Sequence, residues 1–316
     1  RAYGQAVVPT DAKEIRVYNL SSQQEVLEAG ITHAEQAYNM LPDFSQLRNA
    51  AGASVASKQY ASKGSAAALL AHLYAWKGSM AELYGYSNVD AKAAYEKSVE
   101  YATHLIKGDA GNYSLVESPE ALCQLLSNPT ANNPEEIFSI AYDKSRDNEA
   151  TTKNDVATFY ATWPVNDTKL EGDLAQAEYR LHRSTVNKLY PDAGDLRRTA
   201  FFYKQDEAHM AGGTDYAVPY KFRNAVYTID QGSEAGKSFL SIDANYVYWR
   251  LADIYLLRAE CLNKLGRTGE ATADLNVVRA RAGAAAYPAN GESDLKRAIF
   301  HEREREFVLE TDTRYY

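Results

Sequence analysis

The sequence predicts a mainly α fold: tetratricopeptide-like helical repeats, an α-α superhelix, carrying an irregular insertion with short strands. Three observations predict it. From Tyr248 onward the chain reads as a helix hairpin followed by a third, heavily charged helix. Between Ser62 and Gly108 it reads as a helix-turn-helix with small residues at crossing positions. Units of roughly 34 residues are the tetratricopeptide length, and they bury their apolar faces only by stacking on one another. Between these blocks, from Val116 to Ala244, the helical period is lost. The expected organisation is one domain over 1–316, with repeats at 12–115, an insertion at 116–244 and C-terminal repeat helices at 245–316.

Each element has a local cause. Ser22 and Glu25 form a capping box ahead of a helix that runs to Leu41, where Pro42 stops it. Val26, Ala34, Ala37 and Leu41 give that helix one apolar side. The next helix spans Ser62 to Gly78, with Leu69, Leu70, Leu73 and Trp76 facing inward and Ala66, Ala67 and Ala71 admitting a close neighbour. Asp90 caps a helix to Ile106, with Tyr95, Val99 and Ala102 on its buried side, and Gly108 closes it.

Past Val116, Asn132 to Ile140 reads as a loop entering a short strand. Residues 143–175 are polar, a helix is expected over Arg180 to Leu189, and Asp192 to Arg198 reads as a turn. Short strands are expected at Phe201–Tyr203, Tyr216–Phe222 and Val226–Ile229. Helices resume near Asn245: Leu251, Ile254, Tyr255, Leu262 and Leu265 share a face, Gly266 ends the helix, and Thr268 caps a second that Gly283 closes. The last helix is charged and reads as continuing through Tyr315 and Tyr316.

Composition narrows the function classes. At 316 residues and 45% hydrophobic content the chain can bury a large core. A net charge of -8 opposes the phosphate tracking on which nucleic-acid binding depends. No run of about 18 apolar residues is present to span a membrane as a helix. Cys123 and Cys261 lie in apolar helical contexts far apart, which favours buried free thiols. The six histidines never fall into a zinc-binding spacing, and Asp192 with Asp195 lacks the other oxygens of a calcium loop, so no metal or cofactor is expected. Tyrosine is the outlier, 24 residues against 9 Phe and 3 Trp. Such rings suit sugar stacking or wet interfaces, although packing between helices absorbs most of them in an ordinary repeat protein.

The wording of several blocks goes further than periodicity. Arg250 to Leu256, Ala259-Glu260, Asn276 to Gly283, and Glu302-Arg303 with Glu306 resemble the C-terminal signature of the SusD/RagB family. Lys63-Gly64 through Tyr113-Ser114-Leu115 resembles the same pattern in order and spacing, and the Leu41-Pro42 pair matches a helix end of the family. The resemblance implies a nutrient-binding lipoprotein of the Bacteroidota outer membrane, usually a glycan binder, lying on the cell surface over a SusC-like TonB-dependent transporter. It also implies a longer protein, with membrane attachment only through an N-terminal lipid anchor outside this sequence; the chain reads as cut at both ends.

Binding groups concentrate in loops on a rigid scaffold. The best candidate is the loop Phe159 to Asp167: Trp163, Tyr160 and Phe159 offer faces for a pyranose ring, and Asn166 and Asp167 offer hydroxyl partners. The alternative is that Trp163 plugs the insertion onto the helices. A second candidate is the turn after the Ser62 helix, where Tyr84 and Tyr86 flank Gly85. Tyr216, Tyr220, Phe222 and Tyr227 read as strand core. Arg250, Asp253, Glu260, Arg279, Arg281, Glu302, Arg303 and Glu306 read as a structural charge network. An acid–base pair of Glu260 and Glu302 is disfavoured, because neighbouring arginines would hold both ionised.

The leading expectation is therefore catalysis-free oligosaccharide capture. A tetratricopeptide adaptor for peptides, or a peptide-binding RagB-like protein, is the alternative, and an all-helical glycoside hydrolase the third. A hydrolase needs two carboxylates at a set separation, one of them with a raised pKa.

Overall fold

A computed structural model describes residues 4–9, 11, 13, 18–86, 88–141, 155–170, 180–207, 215–229, 236–289 and 291–310. The first helix, α1 (Gln23–Met40), starts at the Ser22–Glu25 capping box and ends at Leu41. The second, α2 (Lys63–Tyr84), runs six residues past Gly78 and closes at Gly85, whose φ is 65°. Gly78 does not end the helix because it serves packing: a Cβ there would lie 2.6 Å from the ring of Tyr95. Tyr95 belongs to α3 (Ala91–Lys107), capped by Asp90 and closed by Gly108 as its residues dictate.

The deepest stripe of α2 is Ala67, Ala68, Leu70, Ala71 and Ala75. Leu69, Leu73 and Trp76 are only half-buried. Methyl-sized side chains let backbones approach, so the small residues take the crowded face.

The C-terminal repeat comprises α8 (Leu251–Lys264), α9 (Thr268–Arg281) and α10 (Leu295–Phe307). Gly266 and Gly283 take positive φ at the two hairpin ends. Thr268 is the first helical residue rather than the cap, since the Arg267 position has no side-chain cap bond. The charged helix stops at Phe307; Tyr315 and Tyr316 lie outside the described residues. Of these helices α8 packs on α3 and α2, while α9 and α10 pack on α8, joining the two repeat blocks into one core that includes Leu70, Leu105, Ile254, Leu257 and Val278.

The insertion leaves and re-enters through one ribbon. Strand β1 (Glu136–Ile140) pairs antiparallel with β6 (Tyr246–Arg250), placing Glu136 opposite Arg250 and Ile140 opposite Tyr246. Residues 246–250 are aromatic and β-branched apart from Arg250, as a strand prefers, and run directly into α8. Between β1 and β6 lie α5 (Asp155–Tyr160), β2 (Leu181–His182), α6 (Arg183–Leu189), α7 (Arg197–Ala200), β3 (Tyr216–Ala217), β4 (Ala225–Ile229) and β5 (Lys237–Ile242). The helix expected from Arg180 thus begins only at Arg183, and Phe202 makes a single bridge to Pro219 rather than a strand. A second core of Leu122, Tyr190, Phe201, Phe202 and Ile242 holds this layer and α4 (Pro119–Leu126) together.

A buried lattice of charges joins the two cores. Arg197 of α7 is fully buried, chelated by Asp195 at 2.7 Å and paired with Glu302 at 2.6 Å and Glu306 at 3.0 Å. Arg250 pairs with Glu135 at 2.6 Å, Glu306 at 2.7 Å and Glu310 at 2.8 Å. Arg281 closes on Glu306 as well, and Lys221 donates to the Glu306 carbonyl at 2.8 Å. Arg279 reaches Glu302 at 3.0 Å and Glu292 at 2.6 Å. Deeper in the repeat, Asp253 binds His72 at 2.7 Å and Arg303 at 2.5 Å, linking α2, α8 and α10. Such pairs orient packing more than they add net stability, but losing one partner strands the other.

Glu260 departs from the reading that every carboxylate here is held ionised. It makes no ion pair or hydrogen bond among the described residues, and burial pushes its carboxyl up to about 7 against weaker pulls from Arg303, Lys264 and Lys296.

Candidate ligand-binding site

The aromatic segment is partly helical: Phe159 and Tyr160 end α5, and the loop proper begins at Ala161. Asn166 shapes that loop. Its side chain is 2% exposed, and its Oδ1 accepts from the Thr168 N–H at 3.2 Å and hydroxyl at 2.6 Å. Asn166 is therefore a turn-forming residue, with that oxygen turned inward. Asp167 is exposed, ion-paired to Lys237 at 2.7 Å. Lys237 holds its carboxyl below the usual range. The Tyr227 hydroxyl donates to the Val165 carbonyl at 3.1 Å and accepts the Asp167 N–H at 3.1 Å, so a β4 residue fixes the loop from beneath.

Trp163 is half-buried and meets Tyr203 edge-on, ring centres 5.4 Å apart. Tyr203 meets Tyr220 in the same manner at 5.3 Å, and the Arg223 guanidinium lies 3.9 Å over Tyr220. Three half-buried rings thus form a row across the insertion, flanked by the cation of Arg223. The sequence reading missed Tyr203 and assigned Tyr220 to strand core. Their only signal in the sequence is an excess of tyrosine, which does not say which rings meet.

Tyr160 is placed elsewhere. With Lys188, His301, Glu304, Arg305 and Phe307 it lines a cavity of about 670 Å³ between α6 and the end of α10. Phe159 is 36% exposed. Tyr84 and Tyr86 stack on each other at 5.9 Å beside the start of α1, where Tyr86 donates to Gln23 at 3.2 Å. Ser87 of that turn lies outside the described residues. Among the described residues no contact joins this tyrosine pair to Trp163. The candidate residues are therefore not gathered into one constellation: Trp163 lies in the aromatic row, Tyr160 lines the cavity between α6 and α10, and Tyr84 and Tyr86 pair beside α1.

Residues 35–316 match the SusD family. The chain belongs to that family. Solved structures of SusD-like proteins share its fold. One SusD homolog from Bacteroides thetaiotaomicron aligns with 21% identity and a TM-score of 0.71, covering 97% of this chain and 60% of that one. A second SusD homolog from the same species gives 20%, 0.68, 98% and 62%. A SusD superfamily protein from Bacteroides vulgatus gives 21%, 0.62, 92% and 63%. The SusD-family chain thus spans about three fifths of the length of these structures. No curated protein matches it.

Proposed function

We propose that this SusD-family protein captures glycan nutrients at the outer-membrane surface and passes them to a SusC-like TonB-dependent transporter, without catalysis. The observation that carries the reading is the row Trp163–Tyr203–Tyr220, with Arg223 over Tyr220 and the exposed Asp167 in the same loop as Trp163. Flat rings cover the C–H face of a sugar, and charged or amide groups at the rim take its hydroxyls. Phe159, Tyr160, Tyr84 and Tyr86 remain secondary candidates for the same ligand. Attachment would come from an N-terminal lipid anchor, and no described helix is long and apolar enough to cross a membrane.

The absence of catalysis is supported by Glu302, which is fully buried under Arg279, Arg197 and Arg305 and so closed to a substrate. An adaptor groove for peptides has little support, because the small-residue face of α2 is filled by α3 and α8.

Calorimetry against a glycan array hit tests the site. Trp163→Ala is expected to weaken binding about tenfold, the equivalent of roughly 1.4 kcal/mol for one stacking ring. Unchanged affinity in a folded variant removes the aromatic row from the site. Sustained release of product from labelled oligosaccharide would overturn the non-enzyme reading.

A further inference from the structure

Lys58 lies in the loop that joins the short turn Phe44–Gln46 to α2, and its carbonyl accepts the Ser139 N–H of β1 at 3.4 Å. Its ammonium lies 3.9 Å from the ring centre of Phe44 and 5.2 Å from that of Tyr113. It makes no hydrogen bond or ion pair with any described residue, so a half-buried cation keeps three unused donors. Two clefts of about 450 and about 440 Å³ meet at this residue and share Ala56, Thr130 and Asn132 as common walls. Each volume falls in the usual range for ligand pockets, roughly 300–1,000 Å³.

The walls carry both signs of hydrogen-bonding group. Gln59, Asn132, Asn133 and Asn245 supply amides, and Glu136 and Asp243 supply carboxylates. Asn133 is 3% exposed; its Oδ1 accepts the Glu135 N–H at 3.0 Å, while Nδ2 is buried without an acceptor. Asn245 is held in place by its bond to the Pro129 carbonyl at 3.0 Å. Burial pushes the Glu136 carboxyl up and the Lys58 ammonium down, as expected where water is scarce.

We propose that these joined clefts form a second saccharide subsite, apart from the aromatic row, for a neutral hydroxyl-rich chain. Each sugar hydroxyl both donates and accepts, which matches an ammonium, amides and carboxylates set side by side. The second cleft adds the rings of Phe44 and Tyr113. A peptide would need apolar pockets for its side chains, and the apolar walls of the first cleft are alanines and Pro129. An acidic glycan would bring its charge against Glu136 and Asp243 with one lysine to offset it.

The proposal rests on the reading of the chain as a glycan-capture protein, and its test separates the two. Calorimetry is run on the 316-residue chain with maltohexaose, cellohexaose, xylohexaose, mannohexaose and hexagalacturonate. The proteins are wild type, Lys58→Met, Asn132→Ala and Trp163→Ala, each checked for an unchanged melting temperature. Asn132 is exposed, so its replacement leaves the core intact. Lys58→Met and Asn132→Ala are each expected to weaken a neutral hexaose roughly five- to tenfold, the scale of one lost hydrogen bond to ligand. Unchanged affinity in both, with weakening in Trp163→Ala, overturns the subsite and leaves the capture reading standing. A wild type that takes only hexagalacturonate overturns the neutral-chain assignment. A wild type that binds none of the five overturns the subsite and the capture reading together.

Discussion

Replacing Glu306 by glutamine isolates charge from packing at the junction of the two cores. The carboxylate is fully buried and touches Arg197 at 3.0 Å, Arg250 at 2.7 Å and Arg281. At an effective dielectric near 20, one pair at about 4 Å is worth about 4 kcal/mol gross, and burial of the charges cancels much of it. What remains on removing one partner of a buried pair is about 3–5 kcal/mol. With three guanidiniums left facing an amide, Glu306→Gln is expected near the upper end at pH 7.

The same residue sets an acid dependence. Burial alone would raise its carboxyl, but Arg281, Arg250 and Arg197 outweigh burial and hold it below the ordinary value of 4.5. A depressed folded pKa gives stability that is present above the unfolded value and lost as pH falls toward the folded one. The gap between wild type and variant should therefore hold steady above about pH 5 and narrow below it. Urea unfolding followed by circular dichroism at pH 7, 5 and 4 reads this directly. Lys97→Ala, which breaks the exposed Lys97–Glu100 pair at 2.9 Å, is the control and should cost less than about 1 kcal/mol. A Glu306→Gln loss below about 1 kcal/mol, or a gap that does not narrow in acid, refutes the reasoning.

Further perturbations follow from single contacts. Gly78→Ala places a methyl against the buried ring of Tyr95 and should lower stability by about 1–3 kcal/mol, read as a urea midpoint. Gly269→Ala, in the first turn of α9 with nothing within 4 Å, should raise it by about 0.5–1 kcal/mol. Glu260 has the opposite sign to Glu306. Its folded pKa of about 7 lies above the ordinary 4.5, so stability falls as pH rises through that window. Glu260→Gln should therefore gain roughly 1–3 kcal/mol at pH 8 and nothing at pH 4; an equal effect at both pH values would exclude a charge-burial cause. Cys123 and Cys261 are buried thiols pushed up to about 12. Both should resist Ellman's reagent in the native protein and react in concentrated urea.

The repeats were legible because their causes are local. The Ser22–Glu25 box, the Asp90 cap and the glycines at 108, 266 and 283 need only neighbouring residues to act. Gly78 was misread because its reason is Tyr95, seventeen positions away in the next helix. Strand β6 was absorbed into α8 because no breaker separates Arg250 from Leu251, and only its partner β1 makes it a strand.

The candidate site was less legible. Trp163 stands out in any sequence, but its partners Tyr203 and Tyr220 lie forty and more residues on. Nor did charge spacing reveal Arg197, Lys221, Glu135 or Glu310. Arg197, Lys221 and Glu135 complete the network from parts of the chain without helical period, and Glu310 completes it from just past the end of α10.

The β1–β6 ribbon and the charge lattice together make the insertion a plug in a socket. Its two ends are fastened side by side, so its internal length is free to change without moving the repeats. Its seat is not free. Any replacement segment must present cations where Arg197 and Lys221 now reach Glu302, Glu306 and Glu310. A graft chosen for its sugar-facing surface alone would leave those carboxylates buried with only the scaffold arginines Arg250, Arg279, Arg281 and Arg305 to offset them. The scaffold accepts new recognition surfaces on condition that they bring matching charge.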